Sequence, residues 1–591
     1  MKIKLYISLA LFGLALGGCN MTTPSKPYPL ESGKADAYAG LRAQLSDWIR
    51  SGIRKQKITG LSIALIDGEQ IVWAEGFGYA DKTNKTLATA DTLYKAGSIS
   101  KVFTATAIMQ LVEQGKVDLD APIQTYIPEL KPKYHFKVEA PITLRHIMSH
   151  RSGLIGNKMA GMFTAQPEPY QTLIDYLNSV HHPYAPGSVT AYSNLATNLQ
   201  GMVIERVTGE QFEDYIKAHI LTPLGMHNSG FADSHIDPTL FSKAYRQNKQ
   251  AVELPLRDIP AGNLHSSVIE LASFARMVLA NGDTILQQKS LQQMLIQQPL
   301  QGAAADRETD FGLNWVIERP ALSYLGKVAW HNGGTIHFMS SMVILPEQGL
   351  AVVVLSNSAN AMNLVEQATD RILLDAAALK SGISKPPLPA PSPVVAFSPA
   401  IQKQLPGEYA TVAGAVRFYP SGKGVKAKVM GLTLKLKQHE DGWLSLHPRL
   451  FGFIPIPIKA LQSLRIKVQQ ADQQTLLLGN DKGTQFIAGV KIQPYEIPEA
   501  WSDYPGNYKV ELPDGDYPWF RDISLIEKDG YLYAASRVEN QGPMMLIVRP
   551  ISEQIGIIEG IGQGMQETIY LDQLDGRPLL HYAGYRFIKE G

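Results

Sequence analysis

Between Ser384 and Pro393 the chain reads Ser-Lys-Pro-Pro-Leu-Pro-Ala-Pro-Ser-Pro. Each proline removes a backbone donor and fixes φ, so neither a helix nor a central strand can run through this segment. At this density the segment is extended and semi-rigid. It therefore separates two regions that must each bury their own apolar surface, and their textures differ. After it come short strand-like runs broken by turn residues at Ser421-Gly422, Asp441-Gly442, Asp514-Gly515 and Asp529-Gly530, the pattern of an all-β region. Leu405-Pro406-Gly407-Glu408-Tyr409 recurs about a hundred residues later as Tyr504-Pro505-Gly506-Asn507-Tyr508. Two β modules, 395–497 and 498–591, are the expectation; a single eight- or ten-stranded unit is the alternative.

Before the linker, taken as 381–394, the pattern is mixed. Asp36 to Ile53 has helical spacing. Leu61–Ile66 and Ile71–Ala74 read as strands around an Asp67-Gly68 turn, and Ser340–Leu345 and Ala351–Leu355 as strands around Pro346–Gly349. Met362 to Leu379 is helical again. Early and late strands around a helical middle predict one antiparallel sheet built from both ends of the segment, flanked by helices, an α/β (α+β) domain over 36–380. A length of 591 residues requires more than one domain, and 45% apolar with 18% charged residues is ordinary for a globular chain. With a net charge of +1 and no basic tract interleaved with aromatics, no nucleic-acid partner is expected.

The N-terminus has Lys2 and Lys4, an apolar run from Leu5 to Leu16, then Gly17-Gly18-Cys19. The run is too short to span a bilayer and reads as a secretion signal over 1–18. Cys19 is the sole cysteine, so no intramolecular disulfide forms. Its setting resembles a bacterial lipoprotein lipobox. That resemblance implies lipidation at Cys19, residues 19–35 as a tether, and, with Asn20 rather than Asp following, an outer-membrane anchor facing the periplasm.

Gly97-Ser98-Ile99-Ser100-Lys101 places a serine and a lysine three residues apart at the start of an apolar helical run, so the Lys101 amine can reach the Ser98 hydroxyl. A serine needs its proton taken, and a lysine takes it only when burial or a neighbouring cation lowers its pKa. A tyrosine whose own pKa is depressed by positive charge can share that proton. Tyr192-Ser193-Asn194 lies in the right interval.

In this order and spacing the motifs resemble the class C β-lactamase and penicillin-binding-protein-like serine hydrolases. Thr143–Leu154, Pro260-Ala261-Gly262-Asn263-Leu264 with Ser266-Ser267, and Trp330-His331-Asn332-Gly333-Gly334 are similar to further landmarks of that family. The resemblance implies that Ser98 is the nucleophile, with Lys101 and Tyr192 as proton relay. It implies an oxyanion hole from the N–H groups of Ser98 and Gly334, and substrate contacts from Asn194, His331 and Gly333. His331 stands where β-lactamases carry a lysine; a mostly neutral imidazole anchors a carboxylate weakly. The repeated Leu-Pro-Gly-x-Tyr segment resembles the lipocalin-like barrels appended to D-aminopeptidases, where a barrel loop can reach over the cleft.

Three other features carry less. His146 and His150 have metal-ligand spacing but lack a Glu at the second position and a third ligand, so they are read as orienting the turn beneath the site, and no metal site is expected. Gly560-Ile561-Gly562-Gln563-Gly564 lacks the Lys and Ser/Thr of a phosphate loop and is read as a hairpin. Phe451 to Ile458 is read as a core strand with its turn, a contact surface being the alternative. The expectation is a lipid-anchored, cofactor-free hydrolase acting through an acyl-serine on a small-molecule or peptide ester or amide, D-amino-acid peptides included. A weak β-lactamase or a non-turnover penicillin-binding sensor is the alternative. Loops 155–185 and 230–260 would set specificity, and the sequence leaves oligomeric state open.

Overall fold

The computed structural model describes residues 23–30, 33–235, 237–298, 310–387, 392–411, 414–429, 431–450, 454–456, 458–471, 474–481, 483–538 and 542–590. The segment read from the sequence as a secretion signal, and Cys19, lie outside the described residues. Among the described residues no helix is long and apolar enough to cross a membrane.

The first region is built on an antiparallel sheet in the order Ser25–Pro27, Gln70–Asp81, Gly60–Asp67, Leu350–Ser356, Met339–Leu345, Ala329–Gly334. Both of its faces are covered, which is why its central strands are continuously apolar. In Gly60–Asp67, Ala64 and Ile66 join one core while Leu61, Ile63 and Leu65 join the other. In Leu350–Ser356, Ala351, Val353 and Leu355 alternate in the same way with Leu350, Val352 and Val354. Helices Ala39–Gln56 and Met362–Ser381 pack on one face. The larger core on the other face takes Ser100–Glu113, Asn194–Thr208 and Val268–Leu279.

Two details differ from the sequence expectation. The first helical stretch breaks at Tyr38 into Lys34–Ala37 and Ala39–Gln56. Ser25–Pro27, within the segment read as tether, adds an edge strand against Glu75–Phe77. Pro27 has no donor to contribute and is tolerated there because the edge faces outward.

Beyond the linker stand two closed eight-stranded antiparallel barrels. The first runs from Gly407–Thr411 to Thr484–Lys491, with Val394–Val395 and Ile454–Pro455 as short extra strands. The second runs from Gly506–Glu511 to Tyr585–Lys589. Residues 451–453 and 457 lie outside the described residues, but Ile454 is 44% exposed, so the core-strand reading fails there. Its short strand pairs only with Arg449–Leu450 at the barrel's margin.

Candidate active site

Ser98 sits in a single 3-10 turn, Gly97–Ile99, that leads into the helix Ser100–Glu113. The turn is fixed from several sides. Gly97 has φ +54°, and a side chain there would put its Cβ 2.6 Å from the Gly334 nitrogen, so only glycine fits. Ser100 Oγ donates to Gly97 O at 2.6 Å and accepts from Leu264 N at 2.9 Å. Ser340 Oγ donates to Ala96 O at 2.7 Å. The end of the strand Ala329–Gly334 is thereby pressed against the serine turn. This sets the Gly334 backbone against the serine turn, with Gly334 on the exposed side.

Lys101 is fully buried, one turn into an almost wholly buried helix. Its Nζ lies 3.1 Å from Ser98 Oγ and donates to Ala261 O at 2.7 Å. Burial lowers its pKa to about 7, partly offset by the carboxylate of Asp258. Asp258 is itself paired with Arg257 at 2.8 Å.

Tyr192 hydrogen-bonds Ser98, and Lys101 Nζ stands 4.9 Å from the centre of its ring. Its phenol is raised above the ordinary tyrosine range, because desolvation outweighs the bond to Ser98. The condition named from the sequence, a phenol depressed by positive charge, is not met here: the lysine, not the tyrosine, is tuned toward neutral pH. His150 supports the ring from below. It is buried, packs on Tyr192 with centroids 4.3 Å apart, and its Nδ1 accepts from Ser193 N at 3.3 Å. His146 instead completes a cap: Thr143 Oγ1 accepts from His146 N and His146 Nδ1 accepts from Thr143 N, each at 3.3 Å.

His331 is buried, and burial with the nearby Lys101 lowers its pKa to about 3. Its Nδ1 donates to Asn332 O at 2.5 Å, which leaves Nε2 as a buried acceptor with no protein partner. Gly333 packs against Ala96 O and Ser340. Asn194 opens its helix after the Ser193 cap and donates through Nδ2 to Asn157 Oδ1 at 2.7 Å.

The second barrel closes one side of this cleft. The glycine-rich connection between Ile555–Ile558 and Thr568–Leu574 is the hairpin expected, and it reaches the first domain. Gly156 N donates to Glu567 Oε1 at 3.0 Å, and Tyr184 Oη donates to Gly562 O and accepts from Gly562 N. Gly156 also lies against Tyr192 O and the Gln563 side chain. In return, Met159 and Ala160 of the first domain pack into the barrel core, and Met159 N donates to Ala583 O at 2.9 Å. Sequence reasoning did not single out Asn157, Gln563 or Glu567; their signals were the specificity loop 155–185, the glycine density at 560–564 and the expectation of a barrel loop over the cleft.

The family model described as Beta-lactamase matches residues 45–377, more than half of the chain. Protein flp of Staphylococcus aureus (strain MW2) is 25% identical over 324 residues, covering 53% of this chain and 62% of that protein. The putative penicillin-binding protein PbpX of Bacillus subtilis (strain 168) is 28% identical over 251 residues, 42% of this chain and 61% of that one. The chain thus spans about three fifths of the length of these curated relatives. Among solved structures, the octameric penicillin-binding protein homologue from Pyrococcus abyssi has the same fold, with a TM-score of 0.52 at 23% identity over 76% of this chain and 99% of its own. With motif order, fold and family match in agreement, the chain belongs to the beta-lactamase family of serine hydrolases.

Proposed function

We propose that this protein hydrolyses an ester or amide through an acyl-enzyme on Ser98. The observation that carries the reading is the Ser98 Oγ–Lys101 Nζ pair at 3.1 Å, with a lysine held near neutrality by burial. The neutral Lys101 amine accepts the Ser98 proton as Oγ bonds to the carbonyl carbon. The oxyanion lies between the Ser98 and Gly334 amides, donors that are already oriented and need no reorganisation. The proton passes from Lys101 through the Tyr192 hydroxyl to the leaving nitrogen or oxygen as its bond to carbon breaks. Water then attacks the acyl-serine, yields its proton to the same relay, and restores Ser98. No step calls on a metal or cofactor.

His331 narrows the substrate. A neutral imidazole at the third motif offers an acceptor, not a charge, so a free carboxylate beside the scissile bond gains little. This favours esters, and amides or D-amino-acid peptides recognised through a donor group, over efficient β-lactam turnover. Leu16-Gly17-Gly18-Cys19 supports a lipid anchor at Cys19 and an outer-membrane, periplasm-facing location; membrane fractionation of Cys19→Ala tests that part. For the chemistry, Ser98→Ala is expected to lower kcat by at least about 10³-fold against p-nitrophenyl butyrate and a D-alanyl anilide. Unchanged turnover would refute it.

A further inference from the structure

The second barrel contains a cavity of about 310 Å³. Its wall is mainly apolar, with Leu525, Leu546, Ile558, Ile569, Leu580 and Phe587 among its lining residues. Three polar residues of the wall gather where the barrel meets the hydrolase domain, while Ser536 sits on a barrel strand. Asn157 belongs to the hydrolase loop itself, and Gln563 and Glu567 belong to the hairpin docked on Gly156. Asn157 therefore touches both places, lining the cavity and accepting from Asn194 of the catalytic cleft. Gly156 stands between the two: a Cβ there would meet Tyr192 O at 3.2 Å and the Gln563 side chain at 3.6 Å, and Tyr192 in turn hydrogen-bonds Ser98. An apolar cavity of this size is poorly served by water and suits a hydrocarbon guest.

We propose that the lumen of the second barrel is an acyl-chain subsite of the hydrolase: an unbranched apolar chain on the acyl half of the substrate passes Asn157 and lies within the barrel. The inference rests on the acyl-Ser98 reading above. It makes the barrel part of substrate selection, with the chain threaded between two domains. The acyl group stays on Ser98 between the two half-reactions, so a pocket that holds its chain acts on formation and breakdown of the intermediate alike.

The test uses the full chain and a p-nitrophenyl ester series from acetate to dodecanoate. The readout is the ratio of kcat/KM for octanoate to that for acetate, taken within each protein, so that a loss of folded enzyme cancels. In the wild type kcat/KM is expected to rise about fourfold per methylene and then level off as the lumen fills. Ala534→Trp places bulk in the lumen and is expected to lower the ratio at least tenfold; Ser536→Phe, from the same strand, is the second variant should the first fold poorly. A wild type without chain-length dependence, or a ratio unchanged in both variants, overturns the subsite. Binding of cis-parinaric acid that Ala534→Trp abolishes while the ratio stays unchanged would make the lumen a separate lipid site, and overturns it too. Failure of the hydrolase reading looks different: no ester is cleaved faster by the wild type than by Ser98→Ala.

Discussion

The two barrels share a build and differ in what they touch. Each begins on a glycine with positive φ, Gly407 at +141° and Gly506 at +150°, over which a lysine from the last strand folds, Lys491 in one and Lys589 in the other. Each buries the tyrosine two residues further on, Tyr409 or Tyr508. The first barrel packs its wall against the second, Ala410 and Ala415 joining Tyr533 and Ile547 in one cluster. The second barrel sends its connections into the hydrolase domain: Asp516 accepts from Gly161 N, Tyr517 N donates to Phe163 O, and Glu567 accepts from Gly156 N. The first barrel also shares a groove with the first domain, where residues 483–486 face Arg319, Tyr324 and Trp330. The second barrel is the one whose connections reach the residues around Gly156 beside Tyr192, so the connecting loops make the difference.

Paired changes test that difference. Phe418→Ala and Phe587→Ala, both at buried core positions, are each expected to cost their own barrel about 3–5 kcal/mol in denaturant unfolding. Only Phe587→Ala should lower kcat/KM; equal effects on activity would erase the distinction. Next, Glu567→Ala removes the acceptor of a buried amide and should cost about 1–3 kcal/mol and reduce activity, while Glu567→Gln, which still accepts from Gly156 N, should restore most of both.

A pH profile is sharper in sign. Lys101 accepts a proton only when neutral, and burial lowers its pKa to about 7. kcat/KM is therefore expected to rise about tenfold per unit up to pH 7 and then flatten. Phe418→Ala should show the same profile, since the first barrel does not reach Lys101. A profile flat from pH 5 to 8 would remove Lys101 as the base. The smallest effect is expected at the seam between the barrels, where Arg417 meets Asp529 at 3.0 Å with both side chains more than a third exposed. Asp529→Ala should change stability by less than about 1 kcal/mol and leave turnover alone.

Much of this was legible in the sequence because it is local. The continuous apolar runs of Leu61–Ile66 and Ala351–Leu355 mark strands buried on both faces, and Ser98 and Lys101 share a helix turn by spacing alone. Tyr192 was placed by motif order. Whether its phenol meets the condition of a depressed pKa was not legible, because that depends on desolvation by distant parts of the chain as well as on its immediate partners. Ile454 misled for a related reason: an apolar run by itself does not show which side of a barrel it faces. A barrel loop over the cleft and a specificity role for 155–185 were expected, but the particular contacts of Asn157, Gln563 and Glu567 were not legible, since Gly156 and Glu567 meet only once the first domain and the second barrel have docked, and no periodicity records such a meeting.

The most direct test of the central claim is intact-protein and peptide mass spectrometry after reaction with a fluorophosphonate probe. The account predicts one adduct per chain, on the peptide carrying Ser98, absent from Ser98→Ala and slowed in Lys101→Met. An adduct on another residue, or labelling that survives Ser98→Ala, would contradict it.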